Sequence, residues 1–334
     1  MKICVFGAGA IGGYVAAHLA QANDIEVSVV ARGEHLAAIK QRGLRLQTPR
    51  GELRASVAAT DRPHDLGRQD VVFVALKSHQ MAAALEGIGA LLGPDTIVLP
   101  PTTGLPYWYF HGLPGPLKNR QVERLDPGGR QWRAIAPERV LGCVYWVAAE
   151  VAAPGIIRHD GSLSRFPLGE PNGASTERVK QLAAAFAAAG LEAPVVPDIR
   201  AWIWAKMVSS LTWNPIACLT AATLAELTAR PEIVSIVRRV MTEADSLALR
   251  LGVDRMPISI DERIDAARRA GAHKMSMLQD LQRGRPIEID VLVDSIAAMR
   301  EIAGIPTPMI DDLFALLKMR AAVGEYAAQR SKAP

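Results

Sequence analysis

Short apolar segments alternate with longer segments of helical periodicity over roughly the first 150 residues of the chain. The apolar segments at 1–6, 26–31, 71–76, 96–100 and 140–146 have the length of strands and little polar alternation, which is typical of strands buried on both faces of a parallel sheet. Because helical segments separate them, the pattern predicts an α/β fold with helices on both faces of the sheet.

The pattern changes after residue 150. Residues 155–170 predict short strands with turns, and 175–189 predict an alanine-rich helix. Beyond Pro197 the pattern is almost wholly helical, with periodic segments near 199–213, 216–228, 231–252, 260–270, 273–282, 288–303 and 308–327. Since 334 residues exceed what one core usually serves, we expect two domains, an α/β domain over 1–197 and a mostly α-helical domain over 198–330.

Composition and charge narrow the functional classes. The net charge of +4 is spread along the chain without a basic cluster among aromatic residues, which argues against nucleic acid and suits a small anionic substrate. The spacing of Cys4, Cys143 and Cys218 fits neither a disulfide framework nor a set of metal ligands. We therefore expect no metal, and we expect the protein to work in the reducing cytoplasm. No apolar segment reaches the roughly 18 residues of a membrane span, and residues 1–6 lack the pattern of a signal peptide.

The first predicted strand runs directly into a G-x-G-x-x-G turn made of Gly7, Ala8, Gly9, Ala10, Ile11 and Gly12. In such a turn the first glycine permits the tight bend, the second lets the backbone approach a pyrophosphate, and the third lets the helix pack closely on the strand. The order of strand, turn and helix predicts a dinucleotide site. The α/β domain over 1–197 is therefore expected to be a Rossmann-type dinucleotide-binding domain. A glycine-rich turn without a ligand is the alternative.

The residue that closes the second strand indicates which dinucleotide binds. NAD-binding versions of the motif place an acidic residue there, whereas this chain has Arg32. A guanidinium suits the 2′-phosphate of NADP, because it forms bidentate charge-assisted hydrogen bonds. Glu34 lies close enough along the chain to keep NAD open.

Polar residues of chemical interest follow in the helical domain over 198–330, which we therefore expect to be the substrate and catalytic domain. Lys206, Ser210 and Asn214 are spaced i, i+4 and i+8, so they share one face of a predicted helix. Lys206 stands among tryptophans, either extending to solvent or held as a cation at a site. Glu288 falls in the first turn of another predicted helix, where an acidic residue is favoured with or without a function.

These residues together resemble the ketopantoate reductases, relatives of the 6-phosphogluconate dehydrogenases, over nearly the whole chain. The resemblance rests on the glycine turn, 31–33, 76–80, 204–206, Asn214 with Pro215, 276–280 and 288–290. It implies NADPH-dependent reduction of a 2-oxo acid to a 2-hydroxy acid, most specifically 2-dehydropantoate to pantoate in pantothenate biosynthesis.

The resemblance also implies residue roles. Lys206 matches the catalytic lysine, and Glu288 matches a second catalytic residue, a glutamate that orients the substrate and also belongs to the cofactor site. Asn214 and Ser276 match substrate-binding residues, and Lys77 a lysine of the cofactor site. The family's chemistry requires no metal.

Two positions depart from the family pattern. Thr103, at a position shared by substrate and cofactor, and Ser210, at a substrate position, stand where the family usually has asparagine. Each change removes reach and hydrogen-bond donors. Two alternatives therefore stay open: a reductase or dehydrogenase of another small oxo or hydroxy acid, and an NADP-binding sensor without turnover. A homodimer is a separate possibility that the sequence leaves open. The segment 107–133 either covers the site or makes a surface excursion.

Overall fold

In a computed structural model, the chain forms two compact units, Met1–Arg200 and Ala201–Pro334. The structure describes residues 1–161, 164–285, 287 and 289–330, apart from the side chains of His79 and residues 324–330. The boundary expected after residue 197 lies close to this division. The functional assignment of the two domains stays a prediction.

The first unit is built from strands and helices that alternate at its start. Its strands are β1 (Lys2–Phe6), β2 (Glu26–Val30), β3 (Leu44–Thr48), β4 (Gly51–Ala55), β5 (Ala58–Thr60), β6 (Gln69–Val74), β7 (Leu92–Leu99), β8 (Gly142–Cys143), β9 (Ala149–Ala153), β10 (Ile156–His159) and β11 (Leu168–Gly169). Its helices are α1 (Ala10–Leu19), α2 (Gly33–Arg42), α3 (Met81–Gly89), α4 (Arg130–Ala134) and α5 (Glu177–Ala188), and 3-10 turns lie at Pro63–Leu66, Ser78–Gln80, Pro127–Gly129 and Pro137–Arg139.

The central sheet has the strand order β5-β2-β1-β6-β7, and all its pairs are parallel. Its strands are almost continuously buried, because apolar side chains cover both faces. The predicted parallel α/β sheet is therefore confirmed. The strand order reverses between β1 and β6, and ligands of such sheets bind at the carboxyl ends of the strands at this reversal.

The apolar run at 140–146 forms much less strand than predicted. Only Gly142–Cys143 is a strand, and it pairs antiparallel with β11, while Val140 makes a single parallel bridge with Val98. The run is apolar because it is buried, and burial alone does not distinguish a long strand from an extended core segment.

A second sheet, with the order β4-β3-β10-β9, packs against α1, which also contacts the central sheet. The approach is close, since a Cβ atom at Gly13 would lie 2.6 Å from Cγ1 of Ile157 in β10. Because glycine has no side chain, the second sheet can pack directly against α1, the helix that follows the glycine turn.

The start of the 107–133 segment is core and not a surface excursion. Trp108, Tyr109 and Phe110 are fully buried. The buried Arg200 guanidinium donates to the carbonyl oxygens of Tyr109 at 2.6 Å, of His111 at 2.5 Å and of Pro171. These backbone acceptors hold the segment in place, and burial lowers the pKa of Arg200 from its usual value.

The second unit is helical, as predicted. Its helices are α6 (Ile199–Thr220), which begins two residues before the division, α7 (Leu224–Thr228), α8 (Pro231–Arg250), α9 (Ile260–Arg269), α10 (Ser276–Gln282), α11 (Asp290–Ala303) and α12 (Pro308–Arg330). Thr223 and Ser259 cap α7 and α9 through capping boxes. A buried bidentate ion pair between Asp245 and Arg263 joins α8 to α9.

Of the helices in the described part of the chain, none combines the length and the apolar character that crossing a lipid bilayer requires.

Candidate active site

The glycine turn lies at the carboxyl end of β1, at the reversal of the strand order. Gly7 has φ +103°, and the backbone N–H groups of Gly7 and Ala8 donate to the carbonyl oxygen of Val30 at 3.0 and 3.2 Å. A Cβ at Gly12 would lie 1.9 Å from the carbonyl oxygen of Gly7. The turn therefore has the tight bend and the close helix–strand packing that the sequence predicts.

The space beside Gly9 is different. A Cβ there would meet no protein atom within 4 Å, so packing within the described chain does not require a glycine at this position. Gly9 is exposed at the N-terminus of α1, where neither a capping side chain nor an acidic residue of the first turn is present in the described structure. Unfilled space next to helix N–H groups fits a bound phosphate.

His35 fastens this turn, a role that the sequence did not indicate. Its Nδ1 accepts from the backbone N–H of Gly155 at 3.0 Å, which leaves Nε2 to donate to the carbonyl oxygen of Ala8 at 2.7 Å. The ring joins the glycine turn to the β9–β10 turn, a pairing of residues far apart in sequence.

Arg32 lies at the end of β2 and lines a cavity of about 490 Å³. The carboxyl ends of β1, β2 and β5 and one side of α3 form the cavity. Its lining residues are Phe6, Val30, Arg32, Asp61, Arg62, Pro63, His64, Asp65, Ala83, Ala84, Glu86 and Gly87. Glu34, which keeps NAD open in the sequence, is not one of them.

The structure also brings together the segments that carry Lys77 and Thr103. The hydroxyl of Ser78, next to the exposed Lys77, donates to the carbonyl oxygen of Thr103 at 3.1 Å. The buried Thr102 hydroxyl donates to the carbonyl oxygen of Cys143, also at 3.1 Å. The first bond ties the chain after β7 to the chain after β6, and the second ties it to β8. Thr103 is left half-buried.

The hydroxyl of Tyr145 contacts the carboxyl ends of β6 and β7. It lies 3.1 Å from the carbonyl oxygens of Leu99 and Pro100 and 3.3 Å from that of Val74. Burial raises the pKa of Tyr145 well above its usual range. The hydroxyl therefore stays protonated and can donate to these strand ends.

In the second unit, α6 carries Lys206, Ser210 and Asn214 on one face. Lys206 and Ser210 are half-buried, and Asn214 is 5% exposed. The neighbouring Trp204 and Met207 are buried.

Asn214 connects this face to the start of α10. Its Nδ2 donates to the carbonyl oxygen of Ser210 at 3.0 Å, and its Oδ1 accepts from the backbone N–H of Met277 at 3.4 Å. The exposed Ser276, the first residue of α10, is thereby placed next to Asn214. Within the second unit the structure thus brings three predicted substrate residues together. Glu288 lies outside the described residues.

Comparison with known proteins extends over the same two parts of the chain. Residues 3–105 match the profile of ketopantoate reductase PanE/ApbA, and residues 198–321 match that of the ketopantoate reductase PanE/ApbA C terminal region. A 2-dehydropantoate 2-reductase of Mesorhizobium japonicum is 48% identical over 322 residues, covering 96% of this chain and 98% of the relative.

The chain belongs to the ketopantoate reductase family. It is therefore an oxidoreductase that acts on a CH–OH group and uses a nicotinamide cofactor.

Solved structures of the family share its fold. A protein of Ralstonia solanacearum MolK2, classed as a ketopantoate reductase, has a TM-score of 0.88 at 39% identity, covering 96% of this chain and 98% of that one. The 2-dehydropantoate 2-reductase of Geobacter metallireducens GS-15 has a TM-score of 0.82 at 26% identity, with coverage of 96% and 99%.

Proposed function

We propose that this enzyme reduces 2-dehydropantoate to pantoate with NADPH. The observation that carries the proposal is the relative 48% identical over nearly the full length of both chains, which is named 2-dehydropantoate 2-reductase. The intact glycine turn and the Lys206–Ser210–Asn214 face of α6 support it. Absorbance of NADPH, followed with a panel of 2-oxo acids, tests it. The fastest turnover should be with 2-dehydropantoate.

The first unit fits the cofactor. The space beside Gly9 and the N–H groups of Ala10 and Ile11 would hold the pyrophosphate, and the cavity at Arg32 would hold the 2′-phosphate end. Lys77 and Thr103 would border the rest of the cofactor, with Glu288. When bound, NADPH supplies the hydride that reduces the substrate's carbonyl carbon.

Lys206 serves as the general acid. Its ammonium group hydrogen-bonds the substrate's carbonyl oxygen, stabilises the negative charge that grows there, and donates a proton from Nζ to give the hydroxyl. Glu288 accepts a hydrogen bond from a substrate hydroxyl and so orients the molecule. Ser276 and Asn214, with Ser210, hold the carboxylate end. Thr103 is the substrate residue proposed for the first unit.

We predict that Arg32→Ala weakens NADPH binding by about 1.5–3 kcal/mol, the scale of a charge-assisted contact. NADH binding should barely change, because NADH lacks the 2′-phosphate. Titration calorimetry with both cofactors measures this difference. Equal losses for both would remove Arg32 from recognition of the 2′-phosphate.

A different 2-oxo acid is the second candidate substrate, and Thr103 and Ser210 favour it. If these residues are tolerated losses, Thr103→Asn with Ser210→Asn should raise kcat/KM for 2-dehydropantoate, since each regained hydrogen bond contributes about 0.5–1.5 kcal/mol. If they instead shape the pocket for another acid, the longer side chains should lower activity on that acid. Both single variants are needed, because the effects of two substitutions need not add.

Unchanged kinetics over the whole panel would contradict the placement of both residues in the site. NADPH binding without turnover of any oxo acid would favour the alternative that the protein is an NADP-binding sensor and not an active reductase.

Location and assembly complete the proposal. We place the enzyme in the cytoplasm, where its three buried cysteines, Cys4, Cys143 and Cys218, would stay reduced. A homodimer is the proposed assembly. Three large apolar side chains of α12, Leu316, Met319 and Val323, are exposed with helical spacing, and such a surface is suited to a second copy. Sedimentation equilibrium measures the assembly.

A further inference from the structure

A second arginine shares the cavity of Arg32. Arg62 follows β5, which pairs in parallel with β2 through Val30 and Thr60. Because neighbouring strands lie about 4.8 Å apart, the chain leaving β5 is brought beside the chain leaving β2. Both arginines line the cavity of about 490 Å³.

The base of the Arg62 side chain is held by its own turn. Its Nε donates to Oδ2 of Asp65 at 3.0 Å, and its backbone N–H donates to the Thr60 hydroxyl, also at 3.0 Å. Within the described chain, Nη1 and Nη2 of Arg62 make no hydrogen bond, and the Arg32 guanidinium makes neither a hydrogen bond nor an ion pair. The Arg62 side chain is 77% exposed, so Nη1 and Nη2 can donate to a ligand while Nε stays bonded to Asp65.

Arg62 improves the charge balance of the cavity. Asp61, Asp65 and Glu86 line it together with the two arginines and His64. A phosphate monoester carries about −1.5 to −2 charges at neutral pH. With Arg32 as its one arginine the cavity would hold three carboxylates against one guanidinium and repel this group, whereas Arg62 brings the ratio to three against two. Arg62 also pairs with Asp65 and adds donors in the bidentate geometry that phosphate oxygens prefer.

We propose that Arg62 binds the 2′-phosphate of NADPH together with Arg32 and that the pair sets the preference for NADPH over NADH. The proposal rests on the proposed function, since it concerns recognition of the same cofactor. It assigns a specificity role to a residue that no motif in the sequence marks.

Titration calorimetry with fragments of the cofactor tests this role apart from catalysis. The probes are adenosine 2′,5′-bisphosphate, which carries the 2′-phosphate, and adenosine 5′-monophosphate, which does not. Arg62→Ala should weaken the bisphosphate about 10- to 100-fold, the range for a lost charge-assisted contact. Binding of the monophosphate should change less than about twofold.

Arg54 provides a matched control. Its side chain is 75% exposed, and its Nε also donates to a carboxylate, that of Glu52, at 2.8 Å. It does not line the cavity. Arg54→Ala should therefore leave the binding of both probes unchanged. Thermal unfolding checks that each variant folds, and Arg62→Gln keeps the side-chain length if the alanine variant does not.

The possible results distinguish a failure of the Arg62 assignment from a failure of the proposed NADPH-dependent function. If Arg62→Ala weakens both probes equally, or neither while Arg32→Ala weakens the bisphosphate, Arg62 does not bind the phosphate, and the inference is overturned while the proposed function stands. If the unmodified enzyme itself binds both probes equally and oxidises NADPH and NADH alike, the NADPH assignment fails as well.

Discussion

Lys206→Ala should lower kcat for oxo acid reduction by about 10²–10⁴-fold, the usual contribution of a general acid. The physical reason is that the carbonyl oxygen becomes strongly basic as it is reduced, and Lys206 both stabilises its charge and protonates it. Steady-state kinetics with saturating NADPH measures kcat. The affinity for NADPH should stay within about twofold, because Lys206 is not among the residues proposed to hold the cofactor.

Lys318 is a suitable control for this variant. It is an exposed lysine of α12 in the same unit, so Lys318→Ala removes a charge of the same kind without touching the α6 face. Its kinetics should match those of the unmodified enzyme. Lys206→Arg adds a second test, because arginine keeps the charge but does not release its proton. Arginine should restore part of the substrate binding and little of kcat.

Near-normal turnover in Lys206→Ala would contradict the mechanism. Lys206 would then be a lysine that covers apolar surface with its stem and reaches solvent with its ammonium group, which its half-buried position on α6 also permits. The two roles predict different values of kcat for Lys206→Ala, because a solvated lysine contributes to packing and not to the chemical step.

The extent to which the fold can be predicted depends on how local its signals are. The strand–turn–helix start of the chain is specified by adjacent residues, and the structure agrees closely, with β1, the turn and α1 in the expected order. The helices of the second unit have clear periodicity and capping residues such as Ser259. The β3–β4 hairpin, with five residues in each strand, joins a second sheet through β10, more than a hundred residues later. Nothing local in the sequence marks that pairing.

In the candidate site, too, the residues with local signals can be predicted from the sequence, and those brought together by tertiary structure cannot. Gly7, Gly9 and Gly12 can be identified from spacing, because each has a separate steric task within one turn. Lys206 and Asn214 can be placed on one face from helical periodicity alone. In contrast, Arg62 reaches the Arg32 cavity through the pairing of β5 with β2, and His35 reaches Gly155 through packing. Residues that are brought together by tertiary structure carry no motif of their own.

The two glycines at the start of α1 offer the sharpest test of the cofactor site, and Gly12→Ala should have the larger effect on stability. The added Cβ would lie 1.9 Å from the carbonyl oxygen of Gly7 and 2.9 Å from Cβ of Ala75. Backbone cannot yield as a flexible side chain can, so α1 must move away from β1. We expect a loss of at least about 1–3 kcal/mol in the free energy of unfolding, the range for overpacking, together with loss of NADPH binding.

Gly9→Ala is the matched variant, and it should separate binding from folding. Its Cβ meets no protein atom within 4 Å, and its φ of −68° suits alanine. The free energy of unfolding, from urea titration, should therefore change by less than about 0.5 kcal/mol. If the pyrophosphate lies against this backbone, the methyl group occupies its space, and NADPH should bind at least about tenfold more weakly, a change of about 1.4 kcal/mol. Unchanged NADPH affinity in a stable Gly9→Ala enzyme would mean that the phosphates do not approach the turn at Gly9, and the cofactor would have to be placed elsewhere on the sheet edge.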